Sequence, residues 1–324
     1  MQNDLVWLLE GDPWVEYNTR INLLCQPETD AEVKAARQAM INAPQIKQFV
    51  EDLQGWPWKV LNNHKNAGHP IHLLTFLADI GLLHSDPNVE NIITPILTHQ
   101  SDEGPFQILE NIPTVFGGSG KDELAWMLCD APLLCYALAK FGLSHESRVL
   151  AAVKYLANLV RENGWPCAAS KNLRKFHGPG KKEDPCPFAT LIMLKTLAVF
   201  PEQHSSSACF TGVECLLDLW QHSHQEHPYL FRMGTDFRKL KAPLVWFDII
   251  HVLDVLSQFD FAHQDARFQE MLAIVKSKAD DQGRYTPESI WTVWKGWDFG
   301  QKREPSRWLT YLILRIIRRV DHHN

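Results

Sequence analysis

The chain has 324 residues, 45% hydrophobic and 22% charged, with a formal net charge of −6. These values suit a globular protein with a sizeable core, and the acidic balance argues against general nucleic-acid binding. No apolar run approaches the ~18 residues needed to cross a bilayer, so stable membrane insertion is not expected.

The first residues, MQNDLVWLLEGDPW, lack both a basic segment and a small-residue cleavage site, so no signal peptide is expected. The seven cysteines lie without short regular spacing. Such spacing suits reduced thiols in the cytoplasm better than a disulfide framework.

Along the chain, proline heads six apolar helical patterns, at Pro13, Pro70, Pro132, Pro187, Pro243 and Pro305, separated by 57, 62, 55, 56 and 62 residues. Proline fits the first helical turn, where its missing N–H costs nothing and its fixed φ is already helical. Near-constant spacing makes the six a repeat. Between them, amphipathic helices are predicted over roughly 29–42, 87–99, 146–161, 206–222 and 264–279, with charge on one face. The Pro-headed helices are apolar nearly all round, as buried helices are. The expected architecture is therefore all-α: six inner and about six outer helices in a single domain over 1–324, with no sheet.

A second periodic signal follows most outer helices. Gln100–Gly104–Phe106 is matched by Gly164–Trp165 and Gly283–Tyr285, and Gln54-Gly55-Trp56 precedes them. A glycine ends the helix and an aromatic ring packs beneath the turn. Gln100, Gly104 and Phe106 resemble the Gln-x-x-x-Gly-x-Trp repeat of squalene and terpene cyclases, with Phe for Trp. With the helix-pair period, nearly the whole chain resembles the terpenoid cyclase and protein prenyltransferase superfamily, whose fold is an α/α toroid. The resemblance implies isoprenoid chemistry, yet two acid motifs of that superfamily are missing. Asp280-Asp281 is preceded by Lys278-Ala279 rather than completing Asp-x-Asp-Asp. Asp281 is followed by Gln282-Gly283-Arg284 rather than completing Asp-Asp-x-x-Asp.

A ring of inner helices gathers the segments before the six prolines at one end. Residues 171–186, 232–241 and 294–304 would then carry +3, +3 and +1 at one rim. Helix N-termini add partial positive charge there, so an anion site is the expectation. Its candidate binding residues are Lys175, Lys181, Arg238, Lys239, Lys241 and Lys295, with Glu16, Arg20, His72, Trp297 and Trp308 facing an aromatic lumen. The long loop from Gly164 to Pro187 also supplies Lys171, Arg174 and Lys182. Candidate catalytic groups are Asp130, Asp236 and the Asp248–His251 pair, since an oriented histidine is a useful base near neutral pH.

Zinc is a further possibility. Cys129, Cys167, His177 and Cys186 offer the thiolate and imidazole ligands that it takes. The protein prenyltransferase β subunits of the resembled superfamily hold zinc with Asp, Cys and His at the same end. Asp130 matches in position, but Pro132 stands where those enzymes place cysteine. The favoured function is an enzyme acting on a small, partly apolar, anionic ligand. Two alternatives are a carbohydrate-active hydrolase or lyase and a non-catalytic binding or scaffold protein.

Overall fold

The computed structural model describes residues 2–173, 176–178, 180–225 and 231–321. Thirteen α-helices lie among them: α1 Gln2–Leu9, α2 Pro13–Asn22, α3 Ala31–Asn42, α4 Pro44–Leu53, α5 Pro70–Ile80, α6 Glu90–Thr98, α7 Ala131–Leu138, α8 Ser147–Ala157, α9 Pro187–Leu197, α10 Ser207–Gln221, α11 Ile249–Leu256, α12 Ala266–Lys276 and α13 Arg307–Asp321. The helices divide into two compact units. One comprises Met1–Phe49 with Thr235–Asn324, and the other Val50–Gly234.

Some helices are buried all round and others along one stripe. Every residue of α7, α9 and α11 is buried. In contrast, α3, α8 and α12 bury one stripe each, along Val33–Ala36–Met40, Val149–Ala152–Val153–Leu156 and Phe268–Met271–Leu272–Val275. In the 50–234 unit α7 packs against α5, α8 and α9, and α9 against α10. In the other unit α2 packs against α1, α3 and α13, and α11 against α12 and α13.

Proline opens α2, α5 and α9 and lies within the first turn of α7. Pro243 departs from the expectation. The chain from 241 to 248 stays non-helical, and α11 begins only where the Asp248 side chain accepts a hydrogen bond from His251 N at 3.0 Å. An aspartate able to satisfy the free N–H groups of a first turn fixes the helix start there.

The absence of a sheet is also corrected. A small antiparallel ladder joins β1, Ile108–Glu110, to β2, Glu123–Ala125, with Ile108 opposite Ala125 and Glu110 opposite Glu123. Leu61 bridges to Glu110 on the other side of β1. Three-residue strands are too short for alternation to show in the sequence.

The glycine–aromatic turns form as expected. Gly104 has φ +114°, Gln100 Nε2 donates to the Gly104 carbonyl at 2.6 Å, and Phe106 is buried. Gly164 has φ +116°, and buried Trp165 donates from Nε1 to Leu156 O at the end of α8, at 3.0 Å. In the first copy the ring that does this is Trp58, donating to Leu53 O at 2.9 Å, rather than Trp56. A Cβ at Gly164 would lie 2.7 Å from Cys215 Sγ and 3.1 Å from Thr190 Oγ1. Gly164→Ala is therefore expected to lose about 1–3 kcal/mol of stability through strain and crowding, read from its urea midpoint.

Candidate active site

In the 50–234 unit, three helix starts bring reactive side chains into one neighbourhood. His69 caps α5, accepting from Ile71 N at 3.2 Å through Nδ1 and donating from Nε2 to Lys59 O at 2.8 Å. Asp130 stands at the cap of α7, and Cys186 caps α9, its Sγ accepting from Ala189 N at 3.5 Å. His64 connects them, lying close enough to feel the charges of both His69 and Cys186. Burial holds both histidines neutral, with pKa values of about 4.

Asp130 and Glu110 form a carboxyl pair. Asp130 has no exposed surface and Glu110 only 1%. Asp130 Oδ1 accepts from Met127 N at 3.1 Å. Asp130 Oδ2 and Glu110 Oε1 have no hydrogen-bond partner among the described residues, and the two carboxyl groups lie close enough for each to shift the other's titration. Two ionised carboxylates so placed repel, which favours a proton on at least one of them. Burial raises both groups above the ordinary carboxylate range. The charge of Asp130 raises Glu110 further, while the hydrogen bond from Glu110 and the Met127 and Ala131 N–H groups moderate the rise at Asp130. The pair thus holds its protons to a higher pH than ordinary carboxyl groups do. Sequence reasoning found Asp130 and missed Glu110, whose position is set by the three-residue strand β1.

Backbone pairing brings three thiols together beside this pair. Leu128 N donates to Ala168 O at 2.9 Å, Ser170 N to Trp126 O at 2.9 Å, and Cys186 N to Trp165 O at 2.7 Å. These bonds set the segments holding Cys129, Cys167 and Cys186 side by side, and each thiol lies within hydrogen-bonding range of the other two. The Cys129 and Cys167 thiols donate to Cys186 and lower its pKa, while contact with Cys167 and then Cys186 raises that of Cys129. Cys129 and Cys186 are buried, whereas Cys167 is partly exposed.

Three of the four candidate zinc ligands therefore meet, but His177 does not join them. It is exposed, with its ring 6.2 Å from Phe116 and its N–H on Phe116 O at 3.0 Å. Among the described residues no group of three or more His, Cys, Asp or Glu side chains is arranged to hold a metal ion. The expected zinc ligand set is corrected accordingly. A histidine close in sequence to the cysteines was chosen, although the fold brings His64 to Cys186 instead.

The other candidates in this unit take different places. His72 is buried and donates from Nε2 to His64 O at 2.8 Å, as a structural core histidine. Lys181 is exposed. Arg174 and Lys175 lie outside the described residues.

The remaining candidates belong to the other unit. Glu16 and Arg20 form an ion pair at 2.9 Å, and Arg20 also binds Gln26 at 3.1 Å and Glu32, a network tying α2 to the start of α3. Asp236 is corrected from catalytic candidate to surface residue: its side chain is 84% exposed and paired with Lys239 at 3.1 Å. Lys241 sits over the Trp291 ring at 3.9 Å, Arg238 lends its carbonyl to Lys278 Nζ at 2.7 Å, and Lys295 is exposed. Trp297 packs with Trp14 at 4.8 Å and Phe49 at 5.2 Å. Trp308 is fully packed against Tyr311 at 5.1 Å, which makes it core rather than ligand surface.

Asp248 and His251 are both buried, and His251 Nδ1 donates to Trp246 O at 2.8 Å. Their contact is the backbone cap, so the expected aspartate–imidazole pair is replaced by a helix start. Burial raises Asp248 from 3.8 to about 7, against lowering by the His251 N–H and the Lys241 charge.

No family model matches the chain, and no curated protein does so either. Among solved structures, the chain is similar to a protein from Actinoplanes at 15% identity, with a TM-score of 0.42, covering 96% of this chain and 90% of that one.

Proposed function

We propose that the chain is an α/α-toroid enzyme of isoprenoid type, acting on a small, partly apolar, anionic ligand, with Asp130 as its proton source. The observation that carries this reading is the approach of two buried carboxyl groups, Asp130 and Glu110, each with an oxygen that has no hydrogen-bond partner among the described residues. A carboxylic acid kept neutral at physiological pH is the group that protonates a weakly basic carbon or oxygen. With both carboxyls protonated, Asp130 gives up its own proton, and Glu110, which keeps its proton, donates a hydrogen bond to the carboxylate left behind. The repeat of buried and amphipathic helices and the glycine–aromatic turns support the fold assignment. Lys181 and Lys182 on the exposed part of the 164–187 loop supply charge for an anionic group. A glycosidase is less well supported, because its two carboxyl groups stand at least ~5 Å apart to accommodate a sugar carbon or water.

The test is incubation with a panel of isoprenyl diphosphates, their alcohols and linear polyprenes, with products identified by mass spectrometry. Turnover of at least one panel member is expected, falling ~100-fold or more in Asp130→Asn. A smaller loss is expected in Glu110→Gln, whose amide still donates a hydrogen bond. No turnover of any isoprenoid, or full activity in Asp130→Asn, would overturn the reading.

A further inference from the structure

We propose that Cys129, Cys167 and Cys186 form an oxidation site at which a hydroperoxide closes a Cys167–Cys186 disulfide. This goes beyond the acid chemistry above and needs neither Asp130 nor Glu110 to react.

Geometry makes the case. Seven cysteines are present, all as free thiols, and backbone pairing sets the segments that hold these three side by side, near enough for each thiol to shift the others' titration. The approach is built by the backbone rather than by a chance side-chain orientation. Residues 126–128 pair with 168–170, and Cys186 N is bonded to Trp165 O at 2.7 Å, two residues before Cys167. Disulfide closure needs backbones already near each other, which this clamp supplies. Only Cys167 of the three is partly exposed, so an oxidant meets it first. Cys186 is the sulfur best held as thiolate, with two thiols and the α9 N-terminus directed at it.

The steps balance. A proton passes from Cys167 to Cys186, and the Cys167 thiolate attacks one oxygen of the hydroperoxide. The O–O bond breaks, leaving a sulfenic acid at Cys167 and water, or an alcohol from an organic hydroperoxide. Cys186, returned to thiolate, then attacks the Cys167 sulfur, and hydroxide leaves and is protonated to water. Overall, two thiols lose two hydrogens and the hydroperoxide is reduced. Cys129 remains a thiol, and the new bond closes the base of the 164–187 loop.

The reduced full-length protein would be exposed to one equivalent of hydrogen peroxide, alkylated, and mapped by peptide mass spectrometry without reduction. The expected product is one linked peptide pair joining Cys167 to Cys186, with Cys129 recovered as a thiol after denaturation and Cys25 alkylated. The link should be lost in Cys167→Ser and in Cys186→Ser. Mapping of the unmutated chain decides the matter even where a variant misfolds. Linkage through Cys129 instead, overoxidation of Cys167 without linkage, or three unreacted thiols would overturn the proposal.

Discussion

Lys195→Ala is expected to lower the unfolding free energy by about 3–5 kcal/mol, among the largest single-residue effects in the 50–234 unit. Lys195 lies on α9 at 1% exposure, and its ammonium meets Asp79 of α5 at 3.2 Å, itself 8% exposed. Tyr136 of α7 completes the group: its hydroxyl donates to Asp79 at 2.6 Å, and Lys195 Nζ sits 4.7 Å from the centre of its ring. Removing the lysine strands a carboxylate among three buried helices, where water cannot replace the lost partner. Replacing both charges, as in Asp79→Leu with Lys195→Met, removes the stranded charge together with its partner. The double variant should therefore lose much less than the sum of the single losses. Urea unfolding of the four proteins checks this, and additive losses would show that the pair is not coupled.

The second large effect is a pH dependence with a definite sign. Asp130 and Glu110 bind protons more tightly in the native chain than in the unfolded one, and so does Asp248, from 3.8 to about 7. Below the ordinary carboxylate range both states are protonated, and their contribution is fully present. As pH rises towards the raised values, the unfolded chain releases protons that the native chain retains, so their contribution to stability falls. Asp130→Asn removes one of the two sources of this slope in the 50–234 unit and the part of the Glu110 shift that the Asp130 charge supplies. Measured between pH 4 and pH 7.5, roughly the span these shifts define, its stability should decline less than that of the unmutated protein. An equal decline in the two would contradict a shared proton.

Much of the helical frame was legible because its signals are local. Proline in a first turn, a helix-long apolar run and a glycine at a helix end each act within a few residues. Five of the six expected inner helices begin within two residues of their proline, and all five outer helices fall inside their expected spans. Pro243 misled because a capping aspartate five residues later governs the start of α11. α1 and α4 were missed because neither fits the repeat period, although Pro44 heads α4 just as the other prolines head theirs.

Of the six site residues weighed against the sequence, four were legible. Asp130, Cys129 and Cys186 stand just before Pro-headed helices, and Cys167 opens the loop that leads to one, so their positions could be inferred from the repeat. Glu110 and His64 depend on tertiary placement: Glu110 on a strand paired to β2 and bridged to Leu61, His64 on the packing around Phe188, whose ring lies 6.4 Å away. At the expected basic rim the charge count, which already subtracts Asp236, does not show what each side chain touches. Lys239 is matched by Asp236 and Lys241 lies on Trp291.

Infrared difference spectroscopy at neutral pH, comparing the unmutated protein with Asp130→Asn and Glu110→Gln, addresses the shared proton directly. A protonated-carboxyl C=O band beyond the one from Asp248 is expected in the unmutated protein, altered in Asp130→Asn and lost in Glu110→Gln. Spectra showing only ionised carboxylates at neutral pH in all three proteins would contradict a proton held between Asp130 and Glu110, and with it the chemistry proposed for the site.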